Sequence, residues 1–334
     1  MVLYNMTSAT QSNYKLMHHT PGKRYSNPFI TFFKEVTGNF SLYSMALPGM
    51  VCLFLFSYFP MIGLIIAFKQ FRFDTGIFGS KWVQPIFYNF DFLFTSDAAI
   101  RSMRNTLLLN FAFIIIGTFF EVGLALLLNE ISNKHFKRIA QSLTMLPFFV
   151  SWIVVGVFAY NFLNYQTGSV NSLLSSLGMD KVNWYSEANI WPFFLIAFHR
   201  WKSTGYGAVI YLAALTSIDS SYYEAAEIDG ASRWQQIRHI SIPLIMPTVI
   251  ILSLLAVGRI MNADFGMFYA LVGDNAQIYS TTDVIDTFVY RNLRVLGDIG
   301  MSSATGLFQS VVSFILVMGS NKLARMYDKD AALF

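Results

Sequence analysis

The chain has 334 residues, of which 54% are hydrophobic and 13% charged, where soluble domains carry roughly 25% charged residues. A mean hydropathy of +0.48 excludes an ordinary water-soluble globule and makes the lipid bilayer the expected solvent. The formal charge of +4 is spread along the chain without a basic tract, so no nucleic-acid partner is expected.

Residues 1–41 are polar and lack the apolar core of a signal peptide, so no cleaved leader is expected and the segment reads as a cytoplasmic lead-in. Near its end, Phe29, Phe32, Phe33, Val36 and Phe40 share one helical face. That spacing suits an amphipathic helix lying in the membrane interface. A plain approach to the first span is the other reading.

The membrane domain occupies residues 42–326. A helix needs about 20 apolar residues to cross the hydrocarbon core. Six runs qualify: 42–68, 106–128, 139–163, 190–215, 244–271 and 301–319. The first contains Pro48 and Pro60, which neighbouring helices can accommodate. It also holds Cys52, the only cysteine, so no intramolecular disulfide can form. The fourth run is interrupted by His199, Arg200 and Lys202. The expected class is an all-α membrane protein of six spans, ending in a short cytoplasmic tail at 327–334.

Six spans put both termini on one side. Loops 1–41, 130–138, 216–242 and 321–334 hold 12 Lys and Arg in 91 residues, against 8 in 91 for loops 69–105, 164–188 and 272–300. Excess Lys and Arg marks the cytoplasmic side, so both termini are expected there. The basic stretch Asn133-Lys-His-Phe-Lys-Arg138 points the same way.

The loop at 216–243, between the fourth and fifth runs, is polar but patterned as helix, bend, helix. Ser221 followed by Glu224 has capping-box spacing; Asp219 is an alternative cap. Ala225 and Ala226 keep the first helix narrow. Gly230 stands where a left-handed residue would end it. Ser232 and Gln235 offer a second capping box before Pro243.

These residues resemble the cytoplasmic signature of bacterial ABC importer permeases: EAA, three residues, G, nine residues, I-x-L-P. Here stand Glu224-Ala225-Ala226, three residues including Asp229, then Gly230, nine residues, and Ile240-Ser241-Ile242-Pro243. Only Ile242 departs from the tail pattern. The resemblance covers about residues 42–326. It is nearest the carbohydrate branch, through stretches such as Arg104-Asn-Thr-Leu-Leu-Leu109 and Trp201-Lys-Ser-Thr-Gly205. It implies the type I permease fold, with Glu224–Pro243 as the coupling helix that docks on an ATPase subunit. It further implies a second homologous permease, two cytoplasmic ATPase subunits, an extracytoplasmic sugar-binding protein and an oligosaccharide substrate. The setting is the bacterial cytoplasmic membrane. Without that resemblance, the loop reads as an ordinary helical hairpin in which Glu224 only caps its own helix.

No G-x-x-x-x-G-K-[ST] phosphate loop occurs, and the five histidines form no metal spacing. The chain therefore reads as a transport component with no catalytic site, no metal and no cofactor, ATP and Mg²⁺ belonging to the partner ATPase. Two other classes remain. An ion-coupled transporter calls for an inverted repeat and midplane acids. A membrane-embedded glycosyltransferase calls for clustered carboxylates at a membrane face.

Ionisable residues inside a span usually face protein or water. Glu121 reads as a structural pairing. Arg200 and Lys202 mark either a helix break at an aqueous cavity or an outer end of the fourth span. Arg259, Asn262 and Asp264 lie in the outer half of the fifth run. They supply the planar hydrogen-bonding groups that sugar recognition needs, although Arg259 and Asp264 could instead pair with each other or with a second subunit. Arg101, Arg104, Arg291 and Arg294 fall on the expected outer side. They suit either an acidic oligosaccharide or contact with a delivery protein.

Overall fold

The computed structural model describes residues 37–327. Phe29, Phe32, Phe33 and Val36, which define the expected interfacial helix, lie outside the described residues. The chain falls into two compact units that divide between Ile62 and Gly63.

The first unit carries helix α1 (Phe40–Leu53), which widens into a π turn at Phe54–Tyr58; the 3₁₀ winding that follows, Phe59–Phe68, runs across the division. Proline lacks an N–H and its ring crowds the carbonyl four residues back, so a helix must widen or kink just before it. Pro60 follows the π turn by two residues. The same device recurs near Pro243, two residues beyond a π turn at Ile237–Ser241.

The second unit opens with a short antiparallel hairpin, β1 (Lys69–Gln70) against β2 (Lys81–Trp82), with Lys69 opposite Trp82. Helices α2 (Tyr88–Thr95) and α3 (Asp97–Asn129) follow, then α4 (Lys134–Met145), α5 (Trp152–Leu163) and α6 (Ser169–Ser176). Next come α7 (Trp191–Thr216), α8 (Ser220–Ile228) and α9 (Arg233–Val257). The chain ends with α10 (Phe265–Val272), α11 (Ile285–Leu296) and α12 (Ile299–Tyr327).

Among the described residues, four helices are long and apolar enough to cross a membrane: Phe40–Phe68, α3, α9 and α12. A fifth arises if the pair flanking a 90° bend, Lys134–Phe149 and Trp152–Leu163, counts as one span. Helix α7 has 26 residues, about 39 Å at 1.5 Å per residue, but bears His199, Arg200 and Lys202. Two expectations need correction. The third run is bent at Val150–Ser151, just after Pro147, and the fifth breaks after Val257 rather than continuing to Leu271.

Helices α3 and α7 approach closely because glycines face the other helix's polar side chains. A Cβ at Gly117 would lie 2.0 Å from Arg200 Nη1, and one at Gly207 would lie 2.3 Å from the Glu121 carboxyl carbon. Gly205 meets the Thr144 carbonyl, where a Cβ would stand only 1.8 Å away. Small residues at such crossings let backbones meet without a hydrophobic driving force. Around them lie two apolar cores. Leu109, Phe113, Val155, Trp191 and Phe268 form one, and Leu128, Tyr211, Leu215 and Ile245 form the other.

Candidate functional site

Two features stand out: the exposed α8 bend and a polar cleft beside α3, α7 and α9. Asp219, not Ser221, caps α8; its carboxylate accepts the Ser221 amide at 2.9 Å. That hydrogen bond holds the Asp219 carboxyl below its usual range. The Ser221–Glu224 capping box is therefore replaced by the Asp219 cap, and the helix starts two residues earlier than a Ser221 cap would place it. At the other end Gly230 has φ +77°, a conformation that disfavours residues bearing a Cβ. The Ala231 amide donates to Ala226 O at 2.8 Å and the Gly230 amide to Glu227 O at 3.1 Å. This double closure is the Schellman arrangement that satisfies a helix's last carbonyls.

The second capping box forms as expected. Gln235 Oε1 accepts the Ser232 amide at 2.7 Å, and the Ser232 hydroxyl accepts the Gln235 amide at 3.4 Å. Arg233 pairs with Glu227 across the bend at 3.0 Å, and the Tyr223 hydroxyl meets Ser241 Oγ at 2.9 Å. The bend is thus fixed at both ends and at its middle. Glu224, Ala225, Asp229 and Gly230 are exposed, Ala226 and Ile240 are half-buried, and Pro243 is exposed. Tyr222, Ala225 and Ile228 follow at three-residue spacing, so they share a face, and Ile228 is 87% exposed. That face is narrow, apolar and acidic at its edge.

The cleft has a volume of about 850 Å³ and brings Arg259, Asn262 and Asp264 together with Asn110, Glu121 and His199. Its polar groups differ in what they already hold. Glu121 Oε1 pairs with Arg200 Nη1 at 3.1 Å, both side chains mostly buried. His199 stacks on Phe113 with ring centres 4.4 Å apart and its Nδ1 meets an Arg200 nitrogen. A guanidinium only donates, so Nδ1 accepts there. Asp264 accepts the Trp152 indole N–H at 2.6 Å and the Met267 amide at 3.1 Å, capping α10. Arg259 and Asp264 form no ion pair among the described residues, the Asp264 carboxylate being taken by Trp152 and Met267.

That break is built rather than loose. Asn110 Nδ2 donates to Ile260 O at 2.8 Å and Asn262 O at 3.2 Å. Gln309 Nε2 donates to Met261 O at 2.8 Å, and the Ala263 amide donates to Asp286 at 2.8 Å. Non-helical backbone at membrane depth needs such substitute partners. The bend at Val150–Ser151 is satisfied likewise: Lys202 Nζ donates to Phe148 O at 2.6 Å and Val150 O at 2.7 Å. Lys202 thus belongs to a break, but to that of the neighbouring helix. Asn110, Gln309, Asp286 and Trp152 were not singled out from sequence. For Asn110 and Gln309 a signal existed, since an amide in the middle of an apolar run requires a partner.

Of the arginines expected on the outer side, Arg291 and Arg294 are paired, whereas the buried Nε of Arg101 has no hydrogen-bond partner among the described residues. Arg291 pairs with the buried Asp283 at 2.7 Å and lies 4.1 Å from the Tyr279 ring centre. Burial pushes the Asp283 carboxyl up, and Arg291 opposes that shift. Arg294 pairs with Asp274 at 3.3 Å.

A helical fold with spans long and apolar enough for a membrane, an exposed helical bend and a polar cleft are the features of a transporter permease, and comparison with known proteins gives that class. The chain belongs to the binding-protein-dependent transport system inner membrane component family, whose pattern matches residues 113–318. It is thus a multi-pass component of an ABC importer and not itself the ATPase. It is 36% identical to Protein LplB of Bacillus subtilis over 289 residues, covering 86% of this chain and 90% of that one. It is also 36% identical to the polygalacturonan/rhamnogalacturonan transport system permease protein YteP of the same organism, covering 86% and 89%. The fold matches a chain of a bacterial ABC transporter that imports the acidic polysaccharide alginate. The TM-score there is 0.80 at 33% identity, covering 89% of this chain and 99% of that one.

Proposed function

We propose that the chain is one of two homologous permease subunits of an oligosaccharide importer in the bacterial cytoplasmic membrane. A separate pair of ATPase subunits binds ATP and Mg²⁺ and drives it, and an extracytoplasmic protein delivers the sugar. The observation that carries this reading is the α8 bend. A narrow face with Glu224, Ala225 and Ile228 is held out by the closure at Gly230, in a chain of the importer family. Relatives named for polygalacturonan transport and alginate import support a sugar cargo, as does a structure described in complex with an alginate pentasaccharide-bound periplasmic protein. Its test is reconstitution with the candidate partners. Sugar uptake that requires ATP and the delivery protein is the expected result; uptake driven by an ion gradient alone would point to the secondary-transporter class instead.

In this reading six spans cross the bilayer and both termini are cytoplasmic. Helix α7 is compatible with lipid because Arg200 and Lys202 are both internally satisfied. The prediction is checked with Cys52→Ser and single cysteines at Ser8, Ser169, Ala276 or Asp330. An impermeant thiol reagent added outside sealed cells is expected to label only positions 169 and 276. Labelling at 8 or 330 sinks the topology.

The sugar path is assigned to the cleft, with Asn262 and Arg259 facing it and Asp264 shaping it. Replacing Asn262 by alanine is expected to raise the sugar concentration for half-maximal uptake, about fivefold for one lost hydrogen bond of roughly 1 kcal/mol. An unchanged concentration dependence removes Asn262 from the path.

A further inference from the structure

Around the cleft, every charged side chain but one has a partner within this chain. Glu121 is neutralised by Arg200 at 3.1 Å. Asp264 has two donors, and the Lys202 ammonium lies 5.2 Å from the centre of the Trp152 ring that supplies one of them. Lys202 thus stands as the counter-charge in that corner. Arg259 is the exception. It is exposed, it lines the cleft, and its guanidinium makes no ion pair or hydrogen bond among the described residues. Its backbone is firmly set, with the amide on Ala256 O at 3.0 Å and the carbonyl accepting from Asn262 at 2.9 Å. Asn262, which shares the break, is exposed, and its side-chain amide has no hydrogen bond among the described residues.

We propose that Arg259 is the specificity-determining residue for an anionic sugar, taking the carboxylate of a uronate unit while the Asn262 amide reads an adjacent hydroxyl. The proposal rests on the oligosaccharide-import reading above. Three lines of chemistry support it. A guanidinium presents parallel donors that match a carboxylate bidentately, a geometry an uncharged hydroxyl pair does not repay equally. The cleft is walled by the apolar faces of Phe113, Ile114, Leu252 and Leu255, which offer a carboxylate no competing polar contact. And the surplus is one positive charge, so a neutral sugar would leave it uncompensated whereas a monoanionic unit balances it.

The test is equilibrium binding of trimannuronate and trigalacturonate to the assembled importer in nanodiscs, with the delivery protein left out so that its own selectivity does not enter. Each acid trimer is paired with its carboxyl-reduced, uncharged counterpart. Wild type is expected to prefer at least one acid trimer over its reduced form by about tenfold or more. Arg259→Gln is expected to abolish that preference by weakening the acid trimer about tenfold while the reduced trimer changes by less than about twofold. Arg259→Lys keeps the charge and is expected to retain part of the preference, which a purely structural role would not produce. Equal binding of acid and reduced trimers by wild type overturns the proposal and leaves the sugar reading intact. Failure of wild type to bind any of the four also overturns the proposal, while the oligosaccharide-import reading stands or falls on the ATP-dependent uptake test above. If Arg259→Gln instead releases the second permease subunit on size-exclusion chromatography, the guanidinium answers a carboxylate of that subunit and the proposal is also overturned.

Discussion

Gly230→Pro is expected to reduce ATP-driven uptake to background while the protein still reaches the membrane. Proline fixes φ near −65°, and residue 230 sits at +77°. The substitution also removes the N–H that donates to Glu227 O at 3.1 Å. Both changes open the Schellman closure, so α8 loses its direction relative to α9. Gly230→Ala and Gly230→Asn separate direction from contact. A Cβ at 230 meets nothing within 4 Å in this chain, so alanine carries only the left-handed strain of about 1–2 kcal/mol, and asparagine less. The expected order of uptake is Gly, Asn, Ala, Pro. Co-purification of the ATPase subunit with each variant is expected to fall in the same order. Normal uptake by a stably inserted proline variant would refute the coupling role of the loop.

Glu121→Ala is expected to cost about 3–5 kcal/mol of stability, because it strands the Arg200 guanidinium without its counter-charge between α3 and α7. The Arg200 side chain is 10% exposed and lies against Gly117 so closely that a Cβ there would collide with it. The double variant Glu121→Leu with Arg200→Leu removes both charges at once. It is expected to recover much of the loss, since an apolar pair of similar volume is often no worse than a buried ion pair. Thermal and denaturant unfolding in detergent measure both. If the double variant is as unstable as Glu121→Ala, a feature other than the stranded charge governs this crossing.

Much of the docking bend was legible in the sequence because its determinants are local. Gly230, Ser232 and Gln235 act within three residues of their partners, and their spacing alone specifies the closure and the cap. The Ser221 cap lies two residues beyond the observed one because Asp219 and Ser221 are both good caps, and only the observed amide bond decides between them. The breaks in the third and fifth runs were not legible. Hydropathy measures how long a segment is apolar, and it is blind to where such a segment bends. What stabilises those bends is remote in sequence: Trp152 and Asp264 are 112 residues apart, and Asn110 reaches 150 residues to Ile260. Arg259 and Asp264, five residues apart, would point partly away from each other on an ideal helix, so a pair between them needed a bend. The bend exists, but Asp264 bonds Trp152 and the Met267 amide instead.

The four hydrogen bonds at the Ile260–Ala263 corner also set how often that corner can straighten. A net value of about 1 kcal/mol for each makes the fully released corner about 4 kcal/mol uphill, a population on the order of one in a thousand. The 25 residues of α9 therefore meet α10 at a stiff elbow. In the proposed coupling, a movement at the α8 end would cross about 37 Å of α9 and meet, beside the cleft, a corner that does not yield by straightening.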